Sequence, residues 1–535
     1  MEANVGFLTL CLAITLVRFL MKRYWHQSKI NDNNNNKAIK QHYPLPPTPK
    51  GLRPWPIVGN LPEMLMNKPT FRWIHKLMEE SNTEIACIRL ANVHVIPVSC
   101  PILSREILKK QDATFATRPL SISTFLITKG YITTVMVPFG EQWKKMRKVI
   151  TSEMLSPMRH KWLTDKRIEE ADHLVRYVFN QCNNEEGSGI VDLRLATQHY
   201  CANVIKRMIF NQRYFTEEMK DGGPSVEEQN YLNAVFDMLR YIYAFSASDY
   251  ISCLRGLDLD GHEKIIKDCI KLTRKRQDPV IEERIREHQK LGGNKVPVDL
   301  LDILISLKDA SGQPLLSLDE IKGQVNEMIM AAVDNPSNAA EWAIAEMINQ
   351  PHLFEKARQE LDAVVGKERQ VQESDLSQLN FVKACAREAF RLHPVAPFNV
   401  PHVSMADTTV GDYFIPKGSH VMLSRIGLGR NPKIWDEPLK YKPERHLKDD
   451  GSGVVLTESE LRFISFSTGM RGCVASTLGT SMTVMLFARL LHGFTWEAPP
   501  NESRIDLTEA DGELLLAKPL LALAKPRLPA HVYQK

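Results

Sequence analysis

The chain has 535 residues, of which 43% are hydrophobic and 24% are charged, so its composition excludes a disordered or fibrous protein. The 68 basic and 63 acidic residues leave a net charge of only +5, which gives no reason to expect a nucleic-acid partner. Nine cysteines are scattered without a CxxC pair, so neither a disulfide framework nor a zinc site is indicated.

The N-terminus predicts a membrane segment. Residues 5–21 are apolar apart from Arg18, two threonines and a glycine, and this length is at the short end of what crosses a bilayer. Lys22 and Arg23 follow the apolar run, which places the rest of the chain on the cytosolic side. A cleaved signal peptide is the alternative, but it would want positive charge before the apolar run. We therefore expect an uncleaved transmembrane signal anchor over residues 1–21.

Residues 22–62 are predicted to be a polar linker and a proline-rich hinge, with an asparagine run at 33–36 and closely spaced prolines from Pro44 onward. Such proline-rich segments are stiff and extended. No later linker or internal repeat is evident, so residues 63–535 are predicted to form one domain.

Hydrophobic periodicity in this domain is mostly helical, so the predicted class is mainly α with small β-sheets (α+β). The predicted strands, in chain order, are 85–90, 93–98, 408–414 and 421–423. The predicted helices are 101–110, 139–152, 157–180, 196–210, 226–245 and 261–291.

A longer helix is predicted over residues 318–349, opened by a capping box at Ser317 and Glu320. Asp334, Asn335 and Pro336 lie deep inside it. A proline in a helix interior removes one hydrogen bond, so we expect a kink there. The alternative is that these residues end one helix and begin another.

Cys473 closes a glycine-rich loop that leads into a predicted helix ending near Gly493. A helix N-terminus stabilises a thiolate, and Gly469 permits a tight turn beside a flat ligand. Arg471 supplies a permanent cation. The string from Phe466 to Cys473 reads FxxGxRxC.

This string resembles the haem-binding signature of the cytochrome P-450 superfamily, in which the cysteine thiolate is the axial ligand of the haem iron. Ala475 stands where glycine is common. The ExxR motif Glu388–Arg391 and the PER motif ending at Arg445 occur in the expected order. The resemblance implies the cytochrome P-450 fold, haem b, and an ion-pair network of these three charged residues that supports the haem loop.

The same resemblance assigns further residues. Trp143 and Arg147 match a helix that hydrogen-bonds a haem propionate. His402 stands where relatives contact a propionate, with a purely structural hydrogen bond as the alternative. The basic residues Lys144, Lys145, Arg147 and Lys148 either form a solvated face or dock an NADPH–cytochrome P-450 reductase. The anchor and hinge resemble those of superfamily members that reside in the endoplasmic reticulum membrane.

The predicted helix over residues 318–349 and the residue after PER indicate a particular group within the superfamily. Asn335 stands where most oxygenating relatives have threonine, and His446 follows PER where most have phenylalanine. Both features resemble the plant amino-acid N-monooxygenases that form aldoximes. Met470 differs from the arginine that is frequent in that group.

The resemblance implies that a free hydrophobic L-amino acid of the valine, isoleucine, leucine or phenylalanine type is N-hydroxylated twice. Dehydration and decarboxylation then give the aldoxime, with dioxygen and NADPH-derived electrons consumed. Such a step opens routes to cyanogenic glucosides, glucosinolates or defence aldoximes and nitriles. Asn399 and Asn335 are candidate partners of the substrate carboxylate. Asp334, Asn335 and Pro336 are the catalytic candidates.

Three alternatives stay open. The missing threonine is compatible with a haem-thiolate enzyme that dehydrates or rearranges its substrate without dioxygen. C-hydroxylation of another plant metabolite is a second, and a membrane-anchored haem sensor without turnover is a third.

Overall fold

The computed structural model describes residues 42–183, 189–215, 219–242, 244–292, 295–448 and 453–534. The predicted anchor and the first part of the linker lie outside these ranges. Among the described residues, no helix combines the length and the apolar character needed to cross a membrane.

Helices dominate these ranges. They are α1 (Leu61–Met66), α2 (Thr70–Glu80), α3 (Pro101–Arg105), α4 (Ile122–Ile127), α5 (Glu141–Lys148), α6 (Pro157–Trp162), α7 (Thr164–Cys182), α8 (Leu193–Phe210), α9 (Val226–Ile242), α10 (Ala247–Tyr250), α11 (His262–Lys290), α12 (Leu300–Ser306), α13 (Leu318–Ile348), α14 (Pro351–Val364), α15 (Asn380–Leu392), α16 (Arg425–Gly429) and α17 (Ser476–Gly493). π-Helical segments follow α3 at Glu106–Lys110 and α5 at Val149–Met154, and 3-10 turns lie at Ser252–Leu254, Pro443–His446 and Ala530–Val532.

The strands are short. They are β1 (Ile88–Leu90), β2 (Val93–Val98), β3 (Ile190–Asp192), β4 (His402–Val403), β5 (Thr408–Val410), β6 (Tyr413–Ile415), β7 (His420–Leu423), β8 (Phe494–Glu497) and β9 (Leu521–Pro526). One sheet has the order β1-β2-β7-β4, a second β3-β9-β8, and β5 pairs with β6. In the first sheet β2 and β7 run parallel, with Val95 opposite His420. The mainly α class with small sheets is thus observed.

The core is built around α13, which packs along α8 and also against α15 and α17. Its Ser317 cap bonds the Glu320 amide, and the Glu320 side chain accepts from the Ser317 amide at 2.8 Å. The predicted capping box is therefore present. Most α13 side chains are buried, including the whole indole of Trp342. A central helix buried on nearly all sides fixes the position of anything that faces it.

Two of the helix predictions need correction. Residues 157–180 form two helices, because Leu163 leaves helical geometry (φ −98°, ψ 10°) and is completely buried between them. The predicted start of α8 at residue 196 is late, because Asp192 caps the helix by accepting from the Leu195 amide. Strands β3, β4, β8 and β9 were not predicted.

Candidate haem-thiolate site

The thiol of Cys473 lies just ahead of α17. Its backbone amide donates to the Phe466 carbonyl at 2.8 Å, which closes the loop. The side chain is accessible to solvent. The surrounding protein nevertheless removes part of its hydration, and this desolvation raises the pKa of the thiol. The Ala475 amide and the charge of Arg147 act in the opposite direction and lower the thiol pKa. An accessible sulfur that is held by an amide and a cation is suited to bind iron as a thiolate.

Gly469 shapes the loop before the cysteine. It adopts φ +76°, and a Cβ there would lie 2.4 Å from the Leu108 carbonyl oxygen. The next amide, of Met470, donates to the Asp112 carboxylate at 2.6 Å. Since Met470 uses its backbone for this contact, the difference from arginine changes only what its side chain presents.

Phe466 lies at the other end of this loop. Its ring meets that of Phe390 edge-on, with centroids 5.9 Å apart. A Cβ on Gly479 would lie 2.9 Å from the ring. Phe466 is therefore wedged between α15 and the first turn of α17.

A cationic cluster lies beside the loop. The Arg471 guanidinium stacks on the Trp143 ring at 4.4 Å and donates to the carbonyls of Ala116 and Val137. Burial and the neighbouring charge of Arg147 lower the Arg471 pKa to about 10. Desolvation likewise lowers the pKa of Arg147. Two desolvated cations at one site, one buried and one half-buried, favour the binding of an anion.

His402 has one ring nitrogen to offer to such an anion. Its Nδ1 lies 2.8 Å from the Phe115 carbonyl oxygen, while its buried Nε2 has no partner among the described residues. Burial, with the charges of Arg118 and Arg471, holds the His402 pKa well below its usual value. Because Nδ1 donates to this carbonyl, Nε2 of the neutral ring is an acceptor. A propionate carboxylate beside it would favour protonation of the ring, and the Nε2–H would then donate to that carboxylate.

Helix α13 provides a second wall of the candidate haem site, in addition to the cysteine loop. Ala331 is exposed and Asp334 and Asn335 are half-buried, although the helix around them is buried. Positions 331, 334 and 335 share one helix face, so this face borders internal space. The helix runs unbroken through Pro336, so the alternative of two separate helices is wrong. The Ser337 hydroxyl donates to the Val333 carbonyl at 2.6 Å.

A cavity of about 890 Å³ lies against this helix face. Asp334 and Asn399 line it together with apolar side chains that include Met136 and Phe398. Burial and the charge of Glu513 raise the Asp334 pKa to about 7. Asn399 donates to the Ser467 hydroxyl at 3.2 Å, which ties it to the cysteine loop. Among the described residues that line this cavity Asn335 is not found.

Glu388 is the centre of an ion-pair network behind the site. It accepts from Arg391 at 2.7 Å and from Arg445 at 3.0 Å. His446, whose part in the network was not predicted from the sequence, adds a third contact at 2.8 Å. These contacts outweigh desolvation and lower the Glu388 pKa to about 2. Arg391 also donates to the carbonyl of Pro438, which ties α15 to the segment before PER.

The basic residues of α5 have different environments. Lys145 binds Glu320 at 2.7 Å, at the start of α13. Lys144 pairs with Glu141 on the surface, and Lys148 is exposed. The predicted cluster is therefore partly committed to contacts within the protein.

These features fit haem with a cysteine ligand. The accessible thiol supplies a metal ligand, and the buried Arg471, the half-buried Arg147 and His402 supply partners for the propionates. The exposed Ala331 face leaves room for a flat group beside α13. The residues that would hold haem are thus Cys473 on the iron and Trp143, Arg147, His402 and Arg471 on the propionates.

The comparison with known proteins agrees with this geometry. A family model described as cytochrome P-450 matches residues 49–524. The chain belongs to the cytochrome P-450 family. A zebrafish cytochrome P-450 structure with progesterone superposes on it with a TM-score of 0.69 at 26% identity, covering 86% of this chain and all of that one.

Relatives of this cytochrome P-450 include amino-acid N-monooxygenases. It is 98% identical to a phenylalanine N-monooxygenase of Prunus mume over the full length of both chains. It is 59% identical to isoleucine N-monooxygenase 1 of Lotus japonicus, covering 93% of this chain and 92% of that one. The predicted resemblance to this group is confirmed, and the chain is an oxidoreductase of the cytochrome P-450 type.

Proposed function

We propose that this cytochrome P-450 converts L-phenylalanine into phenylacetaldoxime. The observation that carries the proposal is the 98% identity, over the full length, to a phenylalanine N-monooxygenase. So small a difference leaves little scope for a different pocket or a different reaction.

The proposed reaction consumes two dioxygen molecules and four electrons that originate from NADPH. Each N-hydroxylation inserts one oxygen atom into an N–H bond and releases the other as water. The N,N-dihydroxy product then loses carbon dioxide and water to give the aldoxime. Haem with a thiolate ligand supplies the activation of dioxygen when it is bound.

The protein's own contribution to this reaction is a shaped cavity with both apolar and polar walls. Its volume of about 890 Å³ accommodates a phenylalanine molecule. The apolar wall that includes Met136, Phe398 and Leu514 suits the phenyl ring, because burial of apolar surface from water is favourable. The polar residues of the cavity must then face the amino and carboxylate groups.

Asp334, which lines the cavity, is proposed to act at the nitrogen end of the substrate. The pKa of Asp334, raised to about 7 by burial, lets the carboxyl hold or release a proton near neutral pH. An amine nitrogen is a nucleophile, unlike an inert C–H bond. We therefore propose that the reaction does not need the threonine hydroxyl that Asn335 replaces. Asn399 is proposed to donate a hydrogen bond to one oxygen of the substrate carboxylate, which leaves the other oxygen for a second partner.

Electrons are proposed to come from NADPH–cytochrome P-450 reductase. The exposed Lys144 and Lys148 on α5 lie on the same helix as Trp143, so an acidic partner bound there would sit close to the haem edge. We further propose that residues 1–21 anchor the chain in the endoplasmic reticulum membrane with its catalytic domain in the cytosol. Deleting residues 1–24 should then shift part of the protein from the membrane to the soluble fraction.

The test is a reconstitution of the full chain with reductase in membranes. Each protein amino acid is supplied separately with NADPH, and aldoximes are read by mass spectrometry. We expect phenylacetaldoxime to be the main product, with none formed when NADPH is omitted. A different main aldoxime would contradict the proposed substrate, and product without NADPH would favour the dioxygen-independent alternative.

A further inference from the structure

An ion pair lies across the wall of the cavity described above. Arg240, in the last turn of α9, donates through Nε to the carboxylate of Glu513. The two residues are 273 positions apart in sequence, and both line the cavity. A second carboxylate, of Asp237, lies 3.6 Å from Nη1 of Arg240. One cation and two anions therefore face the same space.

The loop that carries Glu513 is held from two sides. Arg72 donates to the Ala510 carbonyl at 2.8 Å and to the Asp511 carbonyl at 3.0 Å. On the other side the Trp342 indole donates to the Leu514 carbonyl at 3.0 Å. Because the chain is held on both sides of Glu513, at Asp511 and at Leu514, its carboxylate is presented to the cavity at a defined place.

Arg240 differs from the other arginine that lines this cavity. Arg194 binds Glu341 with its Nε, 3.0 Å from both carboxylate oxygens, and donates Nη2 to the Leu516 carbonyl at 2.7 Å. Glu341 is 2% exposed, so breaking that pair would leave a buried charge. Arg240 is 52% exposed and Glu513 25%. An exposed pair contributes little to stability, so a ligand can exchange with it at low cost.

The pair also lies within electrostatic reach of the reacting end. The charge of Glu513 raises the pKa of Asp334 on α13. Glu513 is therefore the member of the pair whose charge reaches the helix face that borders the haem region.

We propose that Arg240 and Glu513 form a recognition site for zwitterionic substrate. On entry the substrate carboxylate replaces Glu513 on Arg240, while the α-ammonium group binds Glu513. One protein ion pair is exchanged for two protein–ligand ion pairs, so a molecule with both charges is favoured over one with a single charge. This inference rests on the proposed function, because it assumes an amino-acid substrate.

Three probes with the same phenyl group separate the two charges. L-Phenylalanine carries both, 3-phenylpropanoate lacks the ammonium group, and 2-phenylethylamine lacks the carboxylate. Their dissociation constants are read from the shift of the haem absorption spectrum in the full-length protein. We expect Arg240→Gln to weaken binding of phenylalanine and phenylpropanoate by roughly three- to tenfold. The same variant should bind phenylethylamine as well as wild type or more tightly, because Glu513 is released.

Glu513→Gln should give the opposite pattern, with phenylalanine and phenylethylamine weakened and phenylpropanoate spared. Arg240→Lys keeps the cation and should restore phenylpropanoate binding to within about twofold of wild type. The control is Lys525→Gln, which removes a surface pair with Glu497 at 2.9 Å and should alter none of the three constants.

Unchanged constants for all three probes in Arg240→Gln and Glu513→Gln would overturn the inference. So would an equal loss of all three, because a structural role does not distinguish the charges. Failure of the proposed function has a different signature, namely wild-type protein that forms no phenylacetaldoxime. The probe pattern of the variants is read independently of product.

Discussion

His446 and Glu388 are in direct contact in the core, with the imidazole Nε2 2.8 Å from a carboxylate oxygen. The other ring nitrogen of His446 lies 3.3 Å from the Nε of Arg387, which donates to it. His446 therefore links two charged residues of α15 through a neutral ring. The usual phenylalanine at this position could make neither contact.

The substitution His446→Phe tests that link. We expect the free energy of unfolding to fall by about 1–3 kcal/mol, because two buried polar groups each lose a partner. Urea unfolding of the detergent-solubilised protein measures the change. Since Arg391 and Arg445 still bind Glu388, the haem content should stay near that of wild type. Wild-type stability in this variant would show that the contact contributes nothing.

The pH dependence of stability should reveal the Glu388 carboxyl. Its pKa is lowered from 4.5 to about 2, where hydrogen bonds from Arg391 and His446 outweigh the effect of burial. A lowered carboxyl pKa means that the folded state is favoured at pH above 4.5 and loses this advantage as the pH falls toward 2. The stability difference between wild type and Glu388→Gln should therefore shrink over that interval. A difference that is constant from pH 5 to pH 3 would contradict the prediction.

The contribution of Asp334 to stability should have the opposite pH dependence. Its pKa is raised from 3.8 to about 7, chiefly by burial, so ionisation disfavours the folded state as the pH rises from about 4 to 7. Asp334→Asn removes this cost. We expect the variant to gain stability relative to wild type over that interval and the gain to level off above pH 7. Thermal unfolding at pH 5 and pH 8 measures it, with Glu497→Gln as a control, because that carboxylate lies on the surface in a pair with Lys525.

Cys473→Ser should give a folded protein without thiolate chemistry. The amide of residue 473 would still close the loop onto the Phe466 carbonyl, so the fold should survive. We expect loss of the thiolate-type carbon-monoxide difference band of the reduced protein and loss of aldoxime. A serine variant that retains both would rule out Cys473 as the ligand.

Pro336→Ala restores a backbone N–H inside α13. Proline costs about 3 kcal/mol in a helix interior, so we expect the melting temperature to hold or rise. If the proline serves the reaction, phenylalanine will bind more weakly and more NADPH will be consumed without product. The variant Asn335→Thr should not increase the fraction of NADPH consumption that leads to product. Wild-type binding and coupling in Pro336→Ala would mean that the proline has no functional role.

Local motifs predicted the parts of this protein that depend on neighbouring residues. The loop ending at Cys473, the capping box at Ser317 and the long helix through Pro336 are all short-range patterns. The break at Leu163 was missed, because that residue reads as apolar in an amphipathic helix and its burial depends on the surrounding helices.

Residue patterns alone could not predict contacts between distant segments, and the contact of Glu388 with Arg445 was expected only through the family resemblance. Nothing in the sequence near Arg240 points to Glu513. Strand β4 has only two residues, which is too few to show the alternation of apolar and polar residues that indicates a strand. The Lys145 pair with Glu320 likewise depends on how α5 meets α13. Only the fold brings these groups together.

The loop carrying Glu513 is secured by Arg72 and Trp342, whereas the cysteine loop is held by Asp112 at the Met470 amide and by Phe390 at the Phe466 ring. The Glu513 loop and the cysteine loop are thus held in place by different contacts. Substitutions in the Glu513 loop can reshape substrate preference without loosening the support of the haem. Such independence would make substrate preference easy to evolve, and it accords with a relative of 59% identity that is named for isoleucine.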